Sequence, residues 1–208
     1  MAVQHFSSNG GAPLDGPFDL AAAVARTPVG GTTKGAFFLR HRAQIGGAWG
    51  EVAPTLERPP LAGRYFLFSD YPSRDHVRVI DAAARLRLPA LSPREAHRQL
   101  GGTSFEEIAG SAIGRAAMRA APRDPAALLG YFPEVYTRCV KGISPLRVER
   151  LEGGGARLLF DDFLAVPEYM LGLLEAVVVA AGAFPRVEGV VEGDSTRFEV
   201  RWTRSVGA

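Results

Sequence analysis

The spacing of apolar residues changes at Gly142, and this change limits the fold more than any other feature of the sequence. Before Gly142, apolar residues recur at helical spacing, which is typical of amphipathic helices that bury one face. After Gly142, apolar and polar residues alternate, which is typical of strands with one buried face. A chain with helices first and strands last is expected to be α+β.

The alternating part predicts two β-hairpins with a helix between them. The first hairpin turns at Gly153-Gly154-Gly155 and the second at Gly193-Asp194. Residues 167–181 are mostly apolar, begin at a proline and end before a glycine, which indicates a buried helix. The prediction is an α+β fold in which an N-terminal helical layer packs on a C-terminal four-stranded antiparallel sheet, in the order strand-strand-helix-strand-strand. The predicted strands are residues 146–151, 156–160, 186–191 and 197–202.

Helices in the first half of the chain are predicted from their capping signals. One begins after Tyr71-Pro72 and covers residues 73–88. Its apolar positions share one face, and we expect four of them to point inward: Val77, Ile80, Ala84 and Leu88. Two capping boxes then predict two separate helices, one from Ser92 to near Leu100 and one from Thr103 to near Met118.

The helix that begins at Asp124-Pro125 carries an apolar stripe and an internal proline. Pro133 cannot donate a backbone hydrogen bond, so we expect a kink near Leu129. The stripe is predicted to be buried, and it consists of Leu128, Phe132, Val135, Tyr136 and Cys139. A kinked apolar helix that bears tyrosine and cysteine can line a pocket, and it can also be ordinary core.

Charge and composition argue against binding to nucleic acid and against insertion into a membrane. The chain has 24 basic and 22 acidic residues, which gives a net charge of +2, and they are spread along its length. This distribution argues against a nucleic-acid-binding arm and against a polybasic membrane anchor. The most apolar segment, residues 170–184, is too short to cross a bilayer, so no membrane insertion is expected.

The N-terminal segment and the cysteine content suggest a cytoplasmic protein. One cysteine cannot form an internal disulfide, and the first residues do not have the pattern of a signal peptide. Residues 1–16 are rich in serine, asparagine, glycine and proline, so we expect a mobile tail. Residues 17–208 are expected to form a single α+β domain.

Catalytic and metal-binding patterns are weak, so we expect no enzyme and no metal site. The four histidines lie far apart in the sequence, at His5, His41, His76 and His97. The last two are predicted to be surface positions on their helices. Cys139 falls on the apolar stripe, where burial keeps a thiol protonated and inert.

Several segments, in this order, resemble a family of uncharacterised proteins expanded in myxobacteria. The segments are KGAFF at residues 34–38, Tyr71-Pro72, REAHRQLG at 94–101, SAIGRA at 111–116 and PEYMLGLLEAVVVAAG at 167–182. The resemblance covers nearly all of the chain beyond the N-terminal segment.

More distantly, the layout from Tyr71 to Trp202 resembles the heme-nitric-oxide-binding fold, the related vinyl-reductase-type ligand domains and small subunits of the Golgi tethering complex. This resemblance implies a helical layer over a sheet, with an apolar cavity between them. Where the heme members offer a histidine ligand, this sequence has Tyr136, and residues 160–167 do not contain their Tyr-x-Ser-x-Arg propionate clamp. The tethering subunits hold an acylated cysteine in the cavity, which makes Cys139 a candidate for modification.

These observations favour a non-catalytic, sensory or regulatory domain that binds a small apolar or lipid-like ligand and reports to a regulatory protein partner or through a homodimer. The alternatives are a structural or protein-interaction module whose cavity is filled by its own side chains, and a heme sensor with a tyrosine ligand. Heme and other cofactors are not expected. The candidate ligand-binding residues are Phe132, Tyr136, Cys139, Tyr131, Tyr169 and Phe160.

Overall fold

The computed structural model describes residues 3–7, 15–60, 63–110, 119, 124–143, 146–162 and 164–204. Its helices are α1 (Leu20–Arg26), α2 (Gly35–Ile45), α3 (Trp49–Val52), α4 (Ser73–Arg87), α5 (Pro93–Gly110), α6 (Pro125–Cys139) and α7 (Pro167–Ala180). Its strands are β1 (Val3–Ser7), β2 (Thr32–Lys34), β3 (Asp70–Pro72), β4 (Val140–Lys141), β5 (Arg147–Arg150), β6 (Ala156–Phe160), β7 (Phe184–Glu192) and β8 (Ser195–Thr203). The α+β class is confirmed.

The larger sheet is antiparallel and has the strand order β1-β7-β8-β6-β5. Both predicted hairpins are present, and Gly153, Gly154 and Gly193 adopt the positive φ angles that their turns require. A smaller antiparallel sheet has the order β3-β2-β4 and joins the region around Tyr71 to the end of α6.

β1 adds an edge strand that the sequence analysis did not predict. The expectation of a mobile tail is wrong for residues 3–7, which pair with β7 from Val3 opposite Glu192 to Ser7 opposite Glu188. Phe6 is buried and lies edge-on to Phe198, with ring centroids 5.8 Å apart. Its ring occupies the space beside Gly189, where an added Cβ would clash with it. Burial of one aromatic side chain therefore holds a polar segment in the sheet.

α5 crosses α7 in close contact and is a single helix where the capping boxes predict two. α5 runs without a break from Pro93 to Gly110. The hydroxyls of Thr103 and Ser104 donate to the carbonyl oxygen of Leu100, at 3.0 and 2.6 Å, instead of capping a new helix. Residues 111–118, which complete the predicted second helix and include the SAIGRA segment, lie outside the described residues.

In the helical layer, α5 packs against both α4 and α7. Val77, Ile80 and Ala84 are buried as predicted, while Leu88 is half-buried just after the helix ends. α7 is buried along nearly its whole length and packs on β7 and β8. In the part of the chain that the structure describes, no helix is long and apolar enough to span a bilayer.

His76 and His97 correct a further expectation, because neither is a surface residue. His97 is fully buried and lies 3.2 Å from a carboxylate oxygen of Asp81. His76 is half-buried, and its Nε2 atom is enclosed by protein. Both rings lie on the side of their helices that faces the neighbouring helix or loop, because His76 packs against Phe38 of α2 and His97 packs against Phe18.

Candidate functional site

α6 presents its apolar stripe to an open space instead of a close-packed core. The helix begins at Pro125, with the Asp124 carboxylate accepting a hydrogen bond from the backbone of Ala126, and Pro133 lies inside it. Only Leu128 of the predicted stripe is buried. Phe132, Tyr136 and Cys139 are half-buried and Val135 is 40% exposed, so the prediction of a fully buried stripe is wrong. The reason is that this face borders a cavity.

The cavity has a volume of about 220 Å³ and lies between α6 on one side and α4 and α7 on the other. α6 contributes Leu128, Tyr131, Phe132, Val135, Tyr136 and Cys139. The opposite wall includes Ser73, His76, Val77 and Ile80 of α4, and Tyr169, Met170, Leu173 and Val177 of α7. Among the described residues that line it, none is aspartate, glutamate, lysine or arginine.

Five of the six candidate residues meet at this cavity. Phe132, Tyr136, Cys139, Tyr131 and Tyr169 all line it, although Tyr169 lies on a different helix from the other four. Phe160 does not line it, which is a correction. Its ring lies against that of Tyr136 at a centroid distance of 5.5 Å and against Phe198 at 5.9 Å. Phe160 therefore supports the wall from behind, because its position on β6 faces the sheet core.

Polar groups in the wall are uncharged near neutral pH. The hydroxyls of Thr33 and Ser73 are hydrogen-bonded to each other at 2.9 Å. Burial, together with the charge of Asp162, raises the pKa of Tyr136 to about 12. Burial also raises the pKa of the Cys139 thiol, against the weaker opposite effects of Lys34 and Arg138. Both groups therefore remain protonated and neutral.

His76 and Tyr169 connect the cavity to a buried histidine, His41. The ring centroids of His41 and His76 are 5.5 Å apart, and the Tyr169 hydroxyl lies 3.5 Å from His41 Nε2, at the limit of a hydrogen bond. His41 Nδ1 is hydrogen-bonded to the Gln44 side-chain oxygen at 2.9 Å. In the part of the chain that the structure describes, no three histidine, cysteine, aspartate or glutamate side chains are grouped as metal ligands.

Both imidazoles are neutral at physiological pH. Burial, with a contribution from Arg40, lowers the pKa of His41 to about 3. Burial lowers the pKa of His76 well below its usual value, and His41 and Arg40 act in the same direction. Sequence analysis missed His76, although it lies one helical turn before Ile80 and therefore shares the inward face of α4.

The comparison with protein families identifies the chain. The model of the family described as "Protein of unknown function (DUF2378)" matches residues 30–203. The chain belongs to the DUF2378 family. The match includes the elements from β2 to α7 that line the cavity, and it leaves out β1, α1 and Thr27 at the end of α1, which also lines the cavity. Among curated proteins, none matches the chain significantly.

Solved structures show that this DUF2378 chain shares its fold with H-NOX proteins. The Fe(II) unliganded H-NOX protein of K. algicida is 15% identical, with a TM-score of 0.60 over 84% of this chain and 99% of that chain. A mutant of the S. oneidensis H-NOX protein in the Fe(II) state is 14% identical, with a TM-score of 0.64 over 84% and 98%. A mutant H-NOX of T. tengcongensis is 16% identical, with a TM-score of 0.61 over 83% and 99%. The predicted resemblance to the heme-nitric-oxide-binding fold is thereby confirmed.

Proposed function

We propose that this chain is a sensory domain that binds one small, uncharged, apolar molecule between α6 and the α4–α7 layer. The observation that carries the proposal is an apolar cavity whose described lining residues include no charged side chain. A charged ligand would lose its hydration there without gaining an ion pair. An apolar ligand would gain van der Waals contacts and leave water.

The volume of the cavity favours a small molecule. An apolar cavity of about 150 Å³ in another protein stays dry and binds benzene or xenon. At about 220 Å³, this cavity is larger than that one. It is smaller than the roughly 300–1,000 Å³ of pockets that hold drug-sized ligands. The expected ligand is therefore nearer in size to a substituted benzene or a short acyl chain than to a whole membrane lipid.

Heme, which the resemblance to H-NOX proteins suggests, does not fit the residues present. The cavity is below the size range of drug-sized pockets, and a porphyrin is larger than most drugs. Neither lysine nor arginine is found among the described lining residues to pair with the two propionates. Tyr136, at the position of the histidine ligand, has a pKa raised to about 12, so the phenolate that would bind ferric iron is disfavoured.

α6 is the element through which ligand binding would be reported. It supplies six of the lining side chains, yet only Pro125, Leu128 and Leu129 of the helix are buried. A ligand would add contacts to a helix that has few, and would stabilise its packed position by mass action. A protein partner that contacts α6, or the β4 strand that follows it, would sense this change.

Catalysis is not part of the proposal. Cys139 is the strongest nucleophile by residue type in the wall, and burial raises its pKa, so the reactive thiolate is scarce near neutral pH. The cavity is therefore better suited to binding than to chemistry.

Native mass spectrometry of the full chain tests the proposal. We expect a complex with one small neutral molecule after purification, or a one-to-one complex with added benzene. Hemin should give no saturable, stoichiometric Soret band. An apo protein that binds no apolar probe would contradict ligand binding, and a tight one-to-one hemin complex that is lost in Tyr136→Phe would replace this proposal with a heme sensor.

A further inference from the structure

Three consecutive apolar side chains are exposed in the loop between Gly63 and β3. Phe66 is 59% exposed, Leu67 is 54% exposed and Phe68 is 81% exposed. An isolated exposed apolar residue is ordinary, whereas a run of three on a folded domain indicates an interaction surface. We call residues 64–69 the apolar loop. It is separate from the cavity, because none of its residues lines that space.

The backbone of the apolar loop is held in place, the Tyr65 side chain is buried, and the side chains of Phe66, Leu67 and Phe68 project outward. The backbone N–H of Gly35 donates to Ser69 O at 2.9 Å, and that of Ala36 donates to Leu67 O at 3.2 Å. Tyr71 Oη accepts a hydrogen bond from the backbone N–H of Phe66 at 3.0 Å. Gly35 allows this close approach, since an added Cβ would clash with Phe66 O. Little conformational entropy would be lost when a surface covers the loop.

Basic side chains from separate segments surround the apolar loop. Lys34 Nζ donates to Phe68 O at 2.8 Å. The Arg58 guanidinium lies 5.9 Å from the ring centroid of Tyr71, the residue whose hydroxyl contacts the loop. Arg42 reaches the vicinity of Gly63 at the start of the loop and lies 5.7 Å from the Trp49 ring centroid.

The acidic residue next to the apolar loop does not cancel this charge. Asp70 lies 2.7 Å from Lys34 and 2.9 Å from Lys141, so one carboxylate is shared by two ammonium groups. The loop itself contains no aspartate or glutamate, and it contains Arg64. Asp75 and Glu57, which lie beside Arg58, are both paired with Arg78. Lys34, Lys141, Arg58, Arg64 and Arg78 therefore outnumber Asp70, Asp75 and Glu57, and the surroundings of the exposed apolar side chains are net positive. The sequence showed no polybasic run because the fold brings these residues together from different segments.

We propose that the apolar loop docks the domain on an anionic lipid surface. Phe66, Leu67 and Phe68 enter the boundary between headgroups and acyl chains, while Arg58 and Arg64 contact lipid phosphates. The exposed apolar side chains match the apolar interior of such a surface, and the basic side chains around them match its anionic headgroups. A protein partner with an apolar pocket would match only the apolar side chains. The contact is peripheral and requires no membrane-spanning helix.

Vesicle co-sedimentation of the full chain tests this proposal. We expect binding to vesicles of phosphatidylcholine and phosphatidylserine in equal parts, and much weaker binding to vesicles of phosphatidylcholine alone. Phe68→Ser should weaken binding about tenfold, because one aromatic side chain no longer enters the interface. Arg58→Glu should weaken it roughly fivefold for each unit of charge changed. Added salt should weaken binding of the unaltered protein.

Two matched variants control for surface effects elsewhere. Phe184→Ser removes another phenylalanine that is 63% exposed, and Arg87→Glu reverses an exposed charge at the far end of α4, about 22 Å along the helix from β3. Both should bind vesicles as the unaltered protein does. The proposal is overturned if the unaltered protein does not bind anionic vesicles, or if Phe68→Ser binds them equally well. A dimer in solution that Phe68→Ser abolishes would assign the loop to a second copy of the chain and would also overturn it.

Discussion

Leu173 and Leu174 are neighbours on α7 and both are buried, but only Leu173 borders the cavity. Leu174 is fully enclosed by other side chains. The two residues have the same chemistry, lie on the same helix and differ chiefly in whether an empty space lies beside them. They therefore separate the contribution of close packing from that of the cavity.

Leu173→Ala and Leu174→Ala should differ in stability and in ligand binding. Leu174→Ala opens a new void in packed surroundings and should lower the free energy of unfolding by about 3–5 kcal/mol. Leu173→Ala enlarges an existing space, loses fewer contacts and should lower it by roughly half as much. Urea unfolding curves measure the difference. Equal losses, with unchanged binding of benzene to both variants, would mean that the space beside α7 does not bind a ligand.

Gly101 and Gly102 offer a second matched pair, at the crossing of α5 and α7. A Cβ on Gly101 would clash with the carbonyl oxygen of Tyr169, whereas a Cβ on Gly102 would lie 3.7 Å from that of Gly172. Gly101→Ala should therefore destabilise the protein by about 1–3 kcal/mol or more. Gly102→Ala should be neutral or stabilising by up to about 1 kcal/mol, because alanine favours the helix. Equal thermal midpoints for the two variants would contradict this account of the crossing.

The free energy of unfolding should decrease as the pH is lowered, because His41 and His76 titrate in the unfolded state. Burial lowers the pKa of both groups in the folded state, so below about pH 6.5 the unfolded state binds protons that the folded state does not. This contribution to stability is therefore fully present above that pH and is lost progressively as the pH falls, down to about 3 for His41. Each histidine should contribute at most about 1.4 kcal/mol per pH unit.

His76→Leu should reduce this pH dependence by about half and leave stability at pH 7 little changed, since His76 Nε2 has no hydrogen-bond partner among the described residues. Urea midpoints between pH 7 and pH 5 provide the test. Carboxylates whose pKa is lowered, such as Asp70, act mainly below about pH 4 and do not interfere. A slope identical to that of the unaltered protein would show that His76 is not a buried neutral imidazole.

Cys139 should react slowly in the native state. Burial raises the pKa of its thiol, and the side chain faces the cavity. It is the only cysteine, so a thiol reagent reports on this site alone. We expect labelling at least about tenfold slower than in urea, and slower still when benzene is added. Equal rates in the folded and unfolded protein would place the thiol in solvent.

Local signals were sufficient to predict the hairpins and α7. Glycine turns fix the ends of β5, β6, β7 and β8, and Pro167 and Gly182 set the limits of α7. β1 could not be predicted in this way, because its partner strand lies at the far end of the sequence and its flanking residues are polar. The capping box at Thr103 was misleading, since a hydroxyl can also donate to a carbonyl one turn back.

The cavity was predictable only in part. The stripe on α6 indicated three of the candidate residues, Phe132, Tyr136 and Cys139, correctly as neighbours, because helical spacing alone places them on one face. Tyr131, which was not part of the predicted stripe, lines the same cavity. Tyr169 was included, but the arrangement by which α4 and α7 both line the cavity opposite α6 depends on tertiary packing. Phe160 was misplaced because alternation identifies the buried face of a strand without showing whether that face meets a cavity or a core.

The most direct test of the ligand-binding claim is a benzene titration followed in the leucine methyl NMR spectrum, with Leu173 and Leu174 assigned from the two alanine variants. We expect saturable, one-to-one shifts that are larger at Leu173, which borders the cavity, than at Leu174, which does not. Absence of a saturable shift at Leu173, or equal small shifts across all leucines, would contradict the claim that α6 and α7 enclose a ligand site.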